Sequence, residues 1–204
     1  MSMIIAGTHT GIGKTLCSAI ICQALGYDYW KPVQAGDLDN SDSIFVKKHI
    51  DNEACFIHPE RYTLTLPASP HYAAAMDGIQ IKKEVFILPK TANKIVVETA
   101  GGIMSPLADD LLNIDLIAHL NLPVILVSGI YLGSINHTLL TVAAFNQHNI
   151  PVAGIVFSGA ANNATTSFIE AYTKVPLYFS IPFFKQINLE TITTFASSLN
   201  LNRF

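Results

Sequence analysis

The chain has 204 residues, of which 50% are hydrophobic and 13% are charged. Because charged residues average about a quarter of a soluble domain, this composition excludes intrinsic disorder. It predicts a single domain over residues 1–204 with a large buried core. The 12 Lys and Arg residues against 15 Asp and Glu residues give a formal net charge of -3. This balance argues against a nucleic acid partner, because binding to a phosphate backbone needs an excess of basic residues.

Three cysteines and the amino-terminal segment bear on the cellular location. Cys17, Cys22 and Cys55 lack the spacing of zinc ligands, which predicts buried apolar thiols in a reducing compartment, by default the cytoplasm. Residues 1–6 carry no basic residue and no long apolar core, so no signal peptide is predicted. No uninterrupted apolar run approaches the roughly 18 residues of a membrane span, and we expect no membrane partner.

Apolar runs and helical spacings alternate along the chain. Short runs rich in β-branched residues predict buried strands at residues 3–6, 95–97, 124–127, 152–157 and 177–181. A further strand is expected just before Lys31. Stretches with helical spacing predict helices at residues 15–25, 42–49, 112–120, 134–148, 165–173 and 189–199. The alternation predicts an α/β fold, with a mostly parallel central sheet covered by helices on both faces.

A glycine-rich turn follows the first predicted strand and opens the first predicted helix. It reads Gly7-Thr-His-Thr-Gly-Ile-Gly-Lys-Thr15. Such a turn offers backbone N–H groups and a helix N-terminus to an anion, with Lys14 reaching the terminal phosphates and Thr15 offering a hydroxyl to Mg²⁺. Gly7 precedes Gly13 by one position more than the usual pattern. The strand–turn–helix context nevertheless favours a phosphate-binding loop over a chance turn.

Three further residues are expected at the same edge of the sheet. Glu98 ends a buried strand, and ligands of open parallel sheets bind beyond that end. A carboxylate there is a natural Mg²⁺ partner for Thr15, or else it caps local amides. Lys31 follows a strand and either points into the same crevice or lies on the surface. Asp42 joins the site or, like Ser41, caps the helix that follows.

In their order and spacing, these segments resemble the dethiobiotin synthetase family. The family patterns are Gly-Thr-x-Thr-x-x-Gly-Lys-Thr, Lys-Pro-Val-x-[Ser/Thr]-Gly, Asn-Ser-Asp, Ser-Pro-His, Val-Glu-Gly-Ala-Gly-Gly and Leu-Gly-x-Ile-Asn-His. They are matched, in this order, by residues 7–15, 31–36, 40–42, 69–71, 97–102 and 132–137. The resemblance covers nearly the whole chain, and it turns the unusual glycine spacing into a family marker.

The resemblance implies a P-loop NTPase-like fold and an activity. In this family, 7,8-diaminopelargonic acid captures CO₂ as a carbamate, ATP phosphorylates the carbamate, and the second amine closes the ureido ring of dethiobiotin. By resemblance, Lys14 and Lys31 are the catalytic residues, and Lys31 neutralises the carbamate. Thr15, Asp42 and Glu98 hold Mg²⁺. The protein mainly positions anions and stabilises their spread charge.

The resemblance also implies the binding residues and a homodimer. ATP would contact Gly11, Ile12, Gly13, Lys14, Thr15, Leu16, Asp42, Glu98, Thr99, Ala100, Gly101, Ser158, Pro182, Phe183 and Phe184. The diamine would contact Thr10, Lys31, Ala35, Leu132, Gly133, Ser134 and Asn136, the last four reaching the site of the neighbouring subunit. Residues 116–169 contain no Asp, Glu, Lys or Arg. This stretch indicates a packed helix at 134–148, which either only covers the sheet or also faces a second subunit.

Three positions depart from the family pattern. Ala35 stands where the family has a hydroxyl residue, so one substrate hydrogen bond is lost or supplied by another group. Thr99 replaces a glycine and is expected to crowd the phosphate loop. Ser158 stands where the family often has an asparagine that reads adenine. A hydroxyl offers one rotating group where an amide offers a donor and an acceptor side by side, so looser adenine selectivity is expected.

Two alternative functions use the same loop. A nucleotide-switched partitioning or scaffold ATPase would act through surfaces, but the sequence shows neither a basic patch nor a basic amphipathic helix at a terminus. A small-molecule kinase leaves the Lys31 and Leu132 segments unexplained. The histidines within the matched motifs, His9, His71 and His137, are interpreted as structural.

Overall fold

The computed structural model describes residues 1–201. Its strands are β1 Met3–Gly7, β2 Asp28–Trp30, β3 Val33–Ala35, β4 Ile57–His58, β5 Tyr62–Leu64, β6 Ile95–Glu98, β7 Pro106–Ala108, β8 Leu111–Leu112, β9 Val124–Gly129, β10 Val152–Ser158 and β11 Leu177–Ile181. Its helices are α1 Lys14–Leu25, α2 Asp42–His49, α3 Pro70–Met76, α4 Asn113–Leu120, α5 Ser134–Gln147, α6 Asn163–Thr173 and α7 Leu189–Ser198.

Seven of these strands form the central sheet. Their order is β11-β10-β9-β1-β6-β2-β4, and every neighbouring pair is parallel. In the central strand, Ile5 lies opposite Glu98 of β6 on one side and Ile125 of β9 on the other. The predicted α/β class with a mostly parallel sheet is therefore confirmed.

Helices cover both faces of the sheet. Successive side chains of a strand point to opposite faces, so each strand contributes side chains to a hydrophobic cluster on either side. In β1, Ile4 and Ala6 pack into one hydrophobic cluster with α3, α4, α5 and α6. Met3 and Ile5 pack into a second cluster with α1, α2 and α7. Burial on both faces explains why the strands read as continuous apolar runs rather than as alternating ones.

Helix ends follow the local chemistry of the chain. Gly26 ends α1 in the left-handed region at φ 65°, and its N–H bonds the Cys22 carbonyl. Ser41 caps α2 by accepting the Ile44 N–H. Pro70 occupies the first turn of α3, where its missing N–H costs nothing. Each predicted helix is present, with ends shifted by at most two residues.

The structure adds elements that the periodicity did not predict. The pairs β3–β5 and β7–β8 form two small sheets outside the central one. Their strands are two or three residues long, which is too short for a periodic pattern. The expectation of three buried thiols is wrong at Cys55, which is only partly buried, whereas Cys17 and Cys22 are buried. Within residues 1–201, no helix has the length and apolarity to cross a membrane.

Candidate active site

Three neighbouring strands deliver the site at their carboxyl ends. The glycine-rich turn follows β1, Glu98 is the last residue of β6, and Lys31 directly follows β2. Because β1, β6 and β2 are adjacent in the sheet, the three segments meet at one edge. The start of α2, at Asp42, completes the site from the adjacent loop.

The turn after β1 has the backbone of an anion-binding loop. Gly11 and Gly13 adopt φ of +75° and +100°, values that favour glycine. A Cβ at Gly7 would lie 2.8 Å from Ile12 and 2.9 Å from the Lys14 side chain. The loop therefore closes tightly over β1. The Lys14 ammonium donates to the His9 carbonyl at 3.1 Å and so lies along the loop.

A hydroxyl lies between two carboxylates beneath this loop. Thr15 Oγ1 is 2.8 Å from Glu98 Oε1 and 3.0 Å from Asp42 Oδ1. Glu98 is 1% exposed, whereas Asp42 is partly open to the cavity described below. The structure thus brings together the three residues predicted to hold Mg²⁺.

The Lys31 ammonium joins the same group. It lies 2.5 Å from Asp42 Oδ2 and 3.2 Å from Glu98 Oε1, and it donates to the Thr99 carbonyl at 3.3 Å. Lys31 is 3% exposed, so the alternative of a surface lysine is wrong.

Burial and charge oppose each other in the pKa values of this group. Burial alone would lower the pKa of Lys31, but the Glu98 and Asp42 carboxylates outweigh it and raise the pKa above its usual value. Burial would raise the pKa of Asp42, but the Lys31 ammonium and the Thr15 hydroxyl lower it. Burial and the positive charge of Lys31 together lower the pKa of Lys14 to about 8.

Two residues that donate hydrogen bonds to Glu98 were not predicted from the sequence. Ser18 Oγ and Tyr29 Oη each donate to Glu98 Oε2 at 2.9 Å, and both residues are fully buried. Ser18 lies one turn after Lys14 on α1, so the helical spacing places it on the side of the site. Nothing local singles out Tyr29, because its contact with Glu98 crosses from β2 to β6.

The departures from the family pattern are accommodated locally. Beside Ala35, the Gln34 amide donates to the Gly36 carbonyl at 3.0 Å and accepts the Asp42 N–H at 3.3 Å. Gln34 thus fixes the start of α2. The expected crowding by Thr99 is wrong, because its hydroxyl turns into the core and donates to the Ile5 carbonyl, leaving the residue 2% exposed.

A cavity of about 450 Å³ opens in front of the Lys31 ammonium. Thr10 and Ala35, both predicted to contact the diamine, line it together with Asp42, Ala100 and Gly101. The remaining predicted substrate residues do not line this cavity: Leu132, Gly133, Ser134 and Asn136. Among these four, Leu132 is fully exposed and Ser134 is buried at the start of α5.

The residues predicted to contact the base lie on the other side of the loop. A Cβ at Gly13 would be 2.9 Å from Ser158 Oγ, so Ser158 lies directly against the phosphate loop. Pro182 and Phe183 are exposed just after β11, and Phe184 packs edge-on against Phe195. The Ile12 side chain is buried in the core, and the Leu16 side chain is partly buried against the same cluster.

Comparison with known proteins identifies relatives of the whole chain. A family model described as an AAA domain matches residues 1–191. The ATP-dependent dethiobiotin synthetase BioD of Brucella ovis is 40% identical over 99% of this chain and 96% of its own length. The protein of the same name from Brucella abortus is 39% identical over the same shares.

Solved structures with the same fold are far more distant in sequence. A ParA family ATPase from Chlorobium tepidum has a TM-score of 0.54 at 14% identity, covering 97% of this chain and 99% of its own. The MinC:MinD cell division complex of Aquifex aeolicus also gives 0.54, at 13% identity, covering 96% and 85%. At 13 to 14% identity these likenesses show a P-loop NTPase-like fold alone, whereas the match to BioD of Brucella ovis extends along 99% of the chain at 40% identity. The chain belongs to the ATP-dependent dethiobiotin synthetase family.

Proposed function

We propose that the chain carboxylates 7,8-diaminopelargonic acid with CO₂ and closes its ureido ring at the expense of ATP, giving dethiobiotin for biotin synthesis. The observation that carries this proposal is the convergence of Lys14, Lys31, Thr15, Asp42 and Glu98 between a phosphate-binding loop and a cavity. Such a site can hold a triphosphate beside a second anion, because cationic groups face both.

The chemistry has three steps. One amine of the substrate attacks CO₂ and loses a proton, which forms an N–C bond and a carbamate. A carbamate oxygen then attacks the terminal phosphorus of ATP, and ADP leaves. Finally, the second amine attacks the carbamoyl carbon, loses a proton and expels phosphate, which closes the ring.

The protein groups act by binding and by charge. Lys14 lies along the loop, where its ammonium faces the terminal phosphates. Lys31 faces the cavity, where its ammonium neutralises the carbamate. Holding the two anions in contact converts a reaction between separate molecules into one within a complex, which is the main contribution of a phosphoryl-transfer site.

The residues present fit a magnesium ion. Mg²⁺ prefers oxygen ligands and usually binds through one or two carboxylates together with substrate phosphates. Thr15 supplies a hydroxyl that lies 3.0 Å from Asp42 Oδ1 and 2.8 Å from Glu98 Oε1, so one hydroxyl and two carboxylates are available to the ion. Across residues 1–201, no three His, Cys, Asp or Glu side chains form a metal cluster on their own. Bound there, Mg²⁺ would neutralise charge on the phosphates.

Adenine would lie between Ser158 and the segment after β11. Ser158 lies against the loop, and β10 and β11 lie on the opposite side of β1 from β2, so a triphosphate on the loop could direct its base away from Lys31 and toward these strands. Pro182, Phe183 and Phe184 offer backbone groups and apolar surface to the base.

We also propose that the protein is a homodimer and acts in the cytoplasm. Leu132 and Asn136 are exposed and do not line the Lys31 cavity of their own chain, so their predicted contact with the diamine requires a second subunit. Leu140 and Tyr172, exposed on α5 and α6, add apolar surface to the face that would pair. The cysteine thiols are free, as expected in a reducing compartment.

Product analysis tests the reaction. The purified chain is incubated with diaminopelargonate, ¹³C-bicarbonate, Mg²⁺ and ATP, and the products are followed by mass spectrometry and a phosphate assay. We expect one labelled carbonyl bridge and one phosphate for each product molecule. A stable phosphorylated product without a ring would instead identify a small-molecule kinase. ATP hydrolysis without any change in the diamine would favour a switch ATPase.

Mixing two inactive variants tests the shared site. Lys31→Ala and Asn136→Ala each damage a different half of the proposed site, so a mixed dimer contains one intact site. We expect activity to return on mixing, and sedimentation to give about twice 22.2 kDa. If subunits exchange and activity does not return, each chain carries a complete site.

A further inference from the structure

The Lys31 ammonium has no free N–H in this structure. Its three N–H groups meet an oxygen of Asp42, an oxygen of Glu98 and the Thr99 carbonyl, at 2.5, 3.2 and 3.3 Å. An ammonium group has three donors. To bind a substrate anion in the cavity, Lys31 must therefore release at least one of these contacts.

The two carboxylates that hold Lys31 are those assigned to Mg²⁺. We propose that Lys31 is an internal counter-ion of the metal site, and that the arrival of the metal–nucleotide complex displaces it toward the cavity. Lys31 would then become available to the carbamate only after the nucleotide has bound. This inference rests on the proposed function, because it takes the metal and the carbamate from it.

The held orientation of Glu98 makes the competition direct. Oε2 already accepts hydrogen bonds from Ser18 and Tyr29, both at 2.9 Å. Only Oε1 faces the site, and it is the atom that contacts both Thr15 and Lys31. Because the carboxylate is buried and its Oε2 accepts these two hydrogen bonds, Oε2 cannot turn toward the ion without losing them. A cation at Oε1 must therefore share or replace the contact with Lys31.

Asp42 responds differently. Its Oδ1 lies 3.0 Å from Thr15 Oγ1, while its Oδ2 holds Lys31. An ion close to Thr15 can bind Oδ1 while Lys31 still keeps Oδ2. Release of Lys31 from Glu98 with retention of Asp42 would swing the ammonium from the buried end of the group toward the cavity, which Asp42 and Lys31 both line.

Charge gives the same order of events. Among the side chains that contact one another here, one ammonium and two carboxylates leave a single net negative charge, which attracts a bare divalent ion weakly. Removal of the ammonium leaves two uncompensated carboxylates and a much stronger site. The nucleotide contributes its own phosphate ligands and so overcomes the competition.

Manganese binding without nucleotide tests the proposal. Mn²⁺ titrations are followed by electron paramagnetic resonance for the wild-type chain, Lys31→Met and the matched control Lys14→Met, with folding checked by circular dichroism. Each variant removes one positive charge from the site, but the Lys14 ammonium bonds the His9 carbonyl and not a carboxylate. We expect Lys31→Met to bind Mn²⁺ at least about 10-fold more tightly than wild type, and Lys14→Met to differ by less than about 3-fold. Equal affinities for all three chains would overturn the proposal.

A measurement on the wild-type chain covers the case in which Lys31→Met fails to fold. The ¹⁵N resonance of the Lys31 ammonium, assigned with Lys31→Arg, is recorded before and after Mg²⁺ and a β,γ-imido ATP analogue are added. We expect a shift and faster exchange with water once both are present. No change in the resonance at saturating analogue would overturn the displacement.

The two proposals fail in distinguishable ways. If Mn²⁺ binds none of the chains even with the ATP analogue, the metal assignment itself is wrong, and the counter-ion inference falls with it. If Mn²⁺ binds with the analogue, and Asp42→Asn weakens that binding, the metal site stands. Equal nucleotide-free affinities of wild type and Lys31→Met would then overturn only the counter-ion role.

Discussion

Two buried carboxylates, Asp28 and Glu98, are treated differently by the fold. Asp28 is 2% exposed and accepts the Phe56 N–H at 3.0 Å, an amide N–H of Asn93 at 3.0 Å, and a contact from His58 Nε2 at 2.9 Å. Phe56 and His58 lie at β4, and Asn93 lies in the loop just before β6. Glu98 has two such fixed partners on Oε2, but its Oε1 is held by a hydroxyl and an ammonium that a ligand can replace.

The difference separates a structural carboxylate from a functional one. Both are buried and both are hydrogen-bonded, as burial of a charge requires. Exposure alone therefore does not distinguish them. What distinguishes them is the kind of partner: Asp28 is bonded by a backbone N–H and by the side chains of His58 and Asn93, whereas Oε1 of Glu98 contacts the Lys31 ammonium, a charged group that lines the substrate cavity.

The largest expected effect is a loss of catalytic activity at the functional site of this comparison. Lys31→Ala removes the cation that faces the second anion, so we expect kcat to fall by at least about 10² to 10³, as for loss of one group that stabilises developing charge. Lys14→Ala should cause a loss of the same order. Steady-state phosphate release measures both, and circular dichroism confirms the fold. A wild-type kcat in Lys31→Ala would contradict its role.

The next largest effect is a loss of stability at the structural carboxylate, Asp28. Asp28→Ala leaves buried donors without an acceptor, and we expect a loss of about 3 kcal/mol in the free energy of unfolding with kcat within about 2-fold of wild type. Chemical denaturation and a turnover assay measure the two quantities. Asp28→Asn serves as the matched control, because it keeps the shape and an acceptor oxygen. A large loss of kcat in a folded Asp28→Ala would contradict the separation.

The same carboxylate gives a pH dependence. Burial would raise the pKa of Asp28, but hydrogen bonds from Thr91, Phe56, His58 and Asn93 outweigh it and lower the pKa. A lowered pKa contributes stability above the ordinary carboxyl value, near pH 4, and loses it as the pH falls through the folded value. The stability difference between wild type and Asp28→Ala should therefore persist at pH 7 and shrink in acid.

Ser158 contacts neither carboxylate, and its substitution is expected to have a smaller effect, on nucleotide selectivity. Ser158→Asn restores an amide beside the phosphate loop, and a matched polar contact is worth about 1 to 3 kcal/mol when the wrong partner leaves a group unpaired. We expect ATP to be used but CTP, GTP and UTP to be tolerated, and the variant to favour ATP by roughly one to two further orders of magnitude. The ratios of kcat/KM for the four nucleotides measure this. Strict ATP specificity in both proteins would show that adenine is read elsewhere.

The smallest effect sharpens the comparison within Glu98. Tyr29→Phe removes one hydroxyl from Oε2 and leaves Ser18 in place, so Glu98 is held less firmly while the ring stays packed. Loss of one hydrogen bond, worth about 1 kcal/mol, should raise the Mg²⁺ concentration for half-maximal activity roughly 5-fold with little change in kcat. A role confined to packing would lower the thermal midpoint and leave the Mg²⁺ titration unchanged.

Much of this architecture could be predicted from the sequence because its signals are local. The glycine-rich turn, the strand that ends at Glu98 and the cap at Ser41 each lie within a few residues. The contact between Tyr29 and Glu98 could not be predicted, because it depends on which strands are neighbours and not on either segment alone. The same holds for the contact of Lys31 with both carboxylates: the residue pattern left Lys31 either in the crevice or on the surface, and it did not predict a contact with the proposed metal ligands.

The place of β1 in the middle of the sheet has a consequence for how the chain is made. Its two neighbours, β6 and β9, begin at Ile95 and Val124, so β1 leaves the ribosome well before either of the strands that pair with it. At ordinary rates of translation this interval is on the order of ten seconds. During that time, the backbone N–H and C=O groups along both edges of β1 are unpaired, and unpaired edges invite aggregation. Shortened chains that end before β9 should therefore depend on chaperones more than the chain of 204 residues does.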